Sequence, residues 1–117
     1  PSTPETQGII NRERLKSTKR GAYLINLARG GLIESFDVLL ESLENGALAG
    51  VALDVFEPEP PDSSHPLFQH PNCLTAPHAL GMTPGAMGRI FKSMADDMVA
   101  VLEGRRPQFV VNPEVLA

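Results

Sequence analysis

The chain has 117 residues, enough for one compact domain or for part of a larger one, and 42% of them are apolar, a globular composition. A net charge of −4 and a pI near 5.3 argue against a nucleic-acid-binding surface. The single cysteine, Cys73, excludes an internal disulfide framework, and no apolar run nears the roughly 20 residues that span a bilayer.

The opening "PSTPETQGII" reads as a loop, with its two prolines and short hydroxyl residues. Asn11 then caps a short helix, "RERLKSTK", ended by Arg20–Gly21. "AYLINLA" (22–28) is an apolar run bounded by glycines and predicts a buried strand. "RGGL" turns the chain. Ser35 caps a second helix with Phe36, Leu39, Leu40 and Leu43 at helical spacing, and Asn45–Gly46 stops it. "GVALDVF" (50–56) predicts a second buried strand, followed by a loop over 57–72 with five prolines. "CLTAP" (73–77) predicts a third strand, and "AMGRIFKSMADDMVAVLEG" (86–104) an amphipathic helix. The tail "RRPQFVVNPEVLA" reads as an extended crossing segment.

Continuous apolar strands alternating with helices imply an α/β fold: a parallel sheet covered on both faces, thin because only three strands are present. The second and third strands are joined without an obvious helix, so their relative direction stays open. The thin sheet, and an opening on Pro1 without an initiator Met, point to a piece of a longer polypeptide. No secretory signal is visible, and with one cysteine this suits a cytoplasmic, reducing compartment.

In such sheets ligands bind beyond the carboxyl ends of the strands. Arg29 with Gly30–Gly31 follows the first strand; Asp54, Glu57 and Glu59 follow the second; His78 follows the third. An anion clamp, carboxylates and a histidine would then share one edge. A guanidinium pairs a carboxylate bidentately, and the glycines let the backbone approach a ligand. The plain alternative is a surface arginine at a turn. An imidazole can give or take a proton near neutral pH, and a carboxylate bonded to it fixes its tautomer. A structural histidine and solvated loop glutamates are the competing readings.

His65, His70, Cys73 and His78 are spaced by five, three and five residues, which is no standard zinc pattern, so no metal is expected. Gly81, Gly85 and Gly88 match no phosphate loop and read as turn and close-packing glycines. Met87, Phe91, Met94 and Met98 recur at helical spacing and read as core.

"LINLARGGLIE", "LAGVALDVFEPEP" and "NCLTAPHALGMTP", in this order and spacing, resemble the C-terminal half of the D-isomer-specific 2-hydroxyacid dehydrogenases. "PSTPETQGIINRERLKSTKRGA" and "VVNPEVL" fit as well, so the resemblance covers nearly the whole chain. It implies a partial Rossmann-like, doubly wound parallel sheet lacking the N-terminal half with the glycine-rich fingerprint. Residues 1–104 would form the C-terminal half of the NAD(P)-binding domain, and 105–117 a tail returning toward a substrate domain.

The resemblance assigns Arg29 to substrate binding and makes Glu59 and His78 the acid/base pair. Asp54 would stand beside the nicotinamide. Pro1, Leu27, Ala28, Arg29, His78, Ala79, Leu80 and Gly81 would line the cofactor, NAD or NADP; Glu57 receives no role. Many members have two small residues soon after the histidine, and here Leu80 takes one of those places. The implied reaction is hydride transfer between NAD(P)H and a small 2-oxo or D-2-hydroxy acid in a homodimeric parent enzyme. Nucleic acid and membrane are not among the implied partners, and this stretch alone would not turn over. The runner-up is an NAD(H)-responsive regulatory or corepressor-like protein on the same scaffold.

Overall fold

The structure is a computed structural model that describes residues 1–116. Helix α1 (Arg12–Lys16) starts where Asn11 accepts the Arg14 N–H at 2.9 Å. It stops short of the expected end because Ser17 and Thr18 turn their hydroxyls back onto the carbonyls of Arg14 and Leu15. Strand β1 (Ala22–Asn26) leads through a short 3₁₀ turn, Gly30–Leu32, to helix α2 (Phe36–Glu44), which Ser35 caps. Gly46 follows α2 with φ of 73°, the left-handed stop expected of Asn–Gly.

Strand β2 (Leu48–Leu53) begins and ends earlier than its apolar run suggested. Leu48 already pairs with Ala22, and the run after Leu53 leaves the ladder at Asp54. A 3₁₀ turn at Pro66–Gln69 precedes strand β3 (Cys73–Thr75). The sheet order is β1-β2-β3 and both pairings are parallel, which settles the direction of β3.

Leu39, Leu43, Val51, Leu53 and Leu67 make the centre of the core, between one face of the sheet and the side formed by α2 and the 66–69 turn. Phe36 and Phe68 meet edge to face at 5.1 Å, and His65 Nε2 lies 3.2 Å from Asp37 Oδ1, tying the long loop to the start of α2. His65 and His70 each use Nδ1 locally, accepting the Leu67 and Asn72 N–H groups.

The α/β class and the parallel sheet expected from the sequence are what the chain forms. Within Pro1–Leu80 the core lies on one face of the sheet. Tyr23, Ile25 and Leu74 alternate with the core-facing positions and stand 76%, 66% and 71% exposed. The period of two sends them to the opposite face, which stays open to solvent.

The chain divides into two compact units, Pro1–Leu80 and a second beginning at Gly81. The second carries helix α3 (Pro84–Leu102), capped by Thr83, then a tail whose Gln108 and Phe109 N–H groups bond the Asp97 carboxylate. The tail is not extended to its end: Pro113–Leu116 form a 3₁₀ turn. Two readings of α3 need correction. Phe91, Met94 and Met98 are exposed, not core, and the last two line an apolar groove of about 550 Å³ with Val101, Leu102 and Phe109. Helical spacing identifies a shared face but not whether that face is covered. A Cβ at Gly81 or Gly88 would meet nothing within 4 Å among the described residues, so close packing does not explain either glycine.

Candidate functional site

The three strands end side by side, and each end has a side chain or backbone device that steers the next segment. At the end of β1, Asn26 is buried. Its amide donates to the Arg29 carbonyl at 2.9 Å, and its Oδ1 accepts the Ala28 N–H at 3.1 Å. The turn that carries Arg29 is therefore shaped by the last residue of the strand. Sequence reasoning passed over Asn26; the signal was the one that drew attention to Asp54, a lone polar residue closing an apolar strand.

Gly30 then presses against the segment after β2. A Cβ there would lie 2.0 Å from the Phe56 carbonyl carbon, so only glycine allows the approach. This contact brings the Arg29 turn against residues 56–57. Phe56 in turn donates its N–H to Glu59 Oε1 at 2.8 Å. The other carboxylate oxygen, Glu59 Oε2, lies 3.0 Å from His78 Nδ1. The Glu57–Pro58 and Glu59–Pro60 peptide bonds are both cis.

Arg29, Glu59 and His78 thus line one polar cleft of about 310 Å³ together with Ser2, Gly30 and Glu57. The structure brings together three of the five residues singled out at the strand ends, while Asp54 lines a different cleft. Glu57, dismissed as loop charge, also reaches the polar cleft. The His78 and Glu59 side chains keep 50% and 38% of their surface exposed, so the cleft is open to a small solute.

The Glu59 carboxyl is held below its usual range, first by the hydrogen bond from His78 and next by that from the Phe56 N–H; the charge of Arg29 acts in the same direction. An ionised Glu59 can only accept, so Nδ1 of His78 carries the hydrogen and Nε2 is left for another partner. Arg29 has one guanidinium nitrogen on the Ala28 carbonyl at 2.7 Å, and its side chain is otherwise exposed. Cys73 takes no part: burial pushes its thiol up, away from the reactive thiolate.

A second cleft, of about 350 Å³ and almost wholly apolar, lies on the open sheet face at the strand ends. Ile25, Leu27, Ala52, Asp54, Leu74 and Leu80 line it. Asp54 itself is buried, and its two oxygens accept the Ala79 and Leu80 N–H groups at 2.8 and 3.1 Å. The turn after β3 separates the clefts: His78 lines the polar one and Leu80 the apolar one. Ala28 is exposed beside Arg29, and Pro1 is exposed, with its carbonyl accepting from Thr6. Gly81 opens the second unit.

An apolar slot with a carboxylate at its edge, next to a polar slot with Arg, Glu and His, suits a flat, weakly polar ring beside a small anionic substrate. The residues present therefore fit a nicotinamide.

Comparison with known proteins identifies a family. Residues 1–79 match the model of the D-isomer specific 2-hydroxyacid dehydrogenase, NAD binding domain. A glyoxylate reductase of Thermofilum pendens is 45% identical over 116 residues, which cover 99% of this chain and 34% of that protein. Among solved structures, the TT0316 protein of Thermus thermophilus superposes with a TM-score of 0.85 at 43% identity, covering 95% of this chain and 35% of that one. A D-isomer specific 2-hydroxyacid dehydrogenase of Xanthobacter autotrophicus Py2, in complex with NADPH and MES, gives 0.79 at 33% identity, covering 98% and 36%. The chain spans about a third of the length of these relatives.

Proposed function

The chain belongs to the D-isomer-specific 2-hydroxyacid dehydrogenase family, and from that premise we propose that it supplies the catalytic edge of an NAD(P)-linked 2-oxo acid reductase. The observation that carries the reading is the Glu59–His78 pair at 3.0 Å, sharing a small polar cleft with Arg29.

Arg29 binds the substrate carboxylate and carbonyl oxygen through its fork of donors, which fixes the face that the carbonyl carbon presents. A bound nicotinamide supplies the hydride. His78 gives a proton from Nε2 to the oxygen as negative charge develops there. Glu59 accepts from Nδ1, which fixes the ring's orientation and aims Nε2 at that oxygen. In the oxidative direction His78 takes the proton back. Leu27, Asp54 and Leu80 would hold the nicotinamide in the apolar cleft, with Pro1, Ala28, Ala79 and Gly81 as further cofactor-lining positions. Residues 1–104 would serve the NAD(P)-binding domain and 105–117 the return toward a substrate domain, in a homodimeric enzyme.

The test is oxidation of NADH and NADPH by the complete gene product with glyoxylate, hydroxypyruvate and pyruvate. At least one pair should react. Arg29→Ala and His78→Ala should each lower kcat/KM by about 10²-fold or more. Tight cofactor binding without oxidation by any of the three acids, or near-parental rates in both variants, would overturn the reading.

A further inference from the structure

His78 is the only described non-glycine residue with a positive φ, 54°. A side-chain-bearing residue pays for that backbone shape, and something must hold it. The residues immediately after it are fixed by Asp54. Across 25 and 26 positions of sequence, the two oxygens of one buried carboxylate take the two consecutive N–H groups of Ala79 and Leu80. Asp54 is in turn fixed by its own N–H, which bonds the Asn26 carbonyl at 3.1 Å on the neighbouring strand end. A short, rigid side chain at the tip of the central strand thus clamps the turn that presents the imidazole to Glu59.

We infer that Asp54 is a positioning residue for His78, acting through the backbone of Ala79 and Leu80. This rests on the function proposed above, but the clamp has a consequence of its own that needs no turnover. Each N–H held by the carboxylate is protected from solvent, and loses that protection when the acceptor is removed. Without the clamp, the left-handed turn relaxes and the ring drifts from the donor line to the substrate oxygen. A displacement of about 1 Å at a reacting group can cost on the order of 10²-fold in rate.

Asp54→Ala removes both acceptors; Asp54→Asn keeps the volume but sets an NH₂ against one of the two N–H groups. Both variants are made in the complete gene product. Amide hydrogen exchange at Ala79 and Leu80 and single-turnover reduction of glyoxylate are followed, with NADH affinity measured separately by fluorescence. The expected result is faster exchange at both amides in the alanine variant and at one in the asparagine variant. Single-turnover rates at saturating NADH should fall by about tenfold or more, beyond any change in NADH affinity. Unchanged exchange at both amides overturns the clamp. Faster exchange with parental turnover, or a loss confined to NADH affinity, overturns the positioning role. If the parent protein reduces no 2-oxo acid, the proposed reaction fails while the exchange result still decides the clamp. If the alanine variant does not fold, the asparagine variant supplies the same readouts.

Discussion

Glu59 makes two hydrogen bonds that differ in legibility. Strand-end positions left its bond to His78 open against solvated loop charge, and the family resemblance is what selected the pairing. Its bond from the Phe56 N–H was not readable, since that depends on how the chain doubles back over three residues. Together they hold the carboxyl below its usual value. A carboxylate whose folded pKa is depressed favours the folded arrangement fully above its unfolded value, and loses that contribution as pH falls through the folded one. The Glu59–His78 contact is therefore expected to persist through neutral and mildly acidic pH and to weaken only below the ordinary glutamate range. Carbon-detected NMR titration of the Glu59 carboxyl should show a midpoint below the ordinary glutamate value, and His78→Ala should raise it. A Glu59 midpoint at the ordinary glutamate value would count against the pair. Asn26 shows the other side: nothing in "AYLIN" says that its amide will fold back onto Ala28 and Arg29, because that arises from the turn, not the strand.

At the scale of elements, apolar spacing and capping chemistry located the three α-helices and three strands of the described residues, while their ends were settled by contacts the sequence does not display. Serine and threonine hydroxyls shortened α1, and departure from the ladder shortened β1 and β2. Helix α2 is the best-specified element: Ser35 at its start, Gly46 past its end, and an apolar stripe between them that meets β2 and the 66–69 turn. Leu39, fully buried in that stripe, belongs to the core cluster that α2 and the sheet share. Leu39→Ala should lower the unfolding free energy by about 2–5 kcal/mol, from lost transfer energy and the cavity left behind. Chemical denaturation should show the midpoint fall with little change of slope. A loss under about 1 kcal/mol would mean that the site collapses around the deletion.

For the whole chain, the sequence could say which residues are apolar but not which apolar face has a partner. Alternation along β1, β2 and β3 sends Leu53 into the core and Ile25 and Leu74 to the open side, and a pattern of continuous apolar runs hides that difference. The distinction has an energetic consequence that does not depend on catalysis. A lysine replacing Leu53, 2% exposed, would bury an unpaired ammonium in the core cluster that includes Leu39 and Val51. A lysine replacing Ile25 would keep its charge in water and lay its stem along the sheet. In the 117-residue chain, Ile25→Lys should change unfolding free energy by no more than about 0.5 kcal/mol, whereas Leu53→Lys should cost more than about 4 kcal/mol or prevent folding. Circular dichroism melts of the two variants measure the contrast. Equal damage from both would mean that the Ile25 face is packed in solution, and the apolar cleft beside Asp54 would then be closed to a nicotinamide ring.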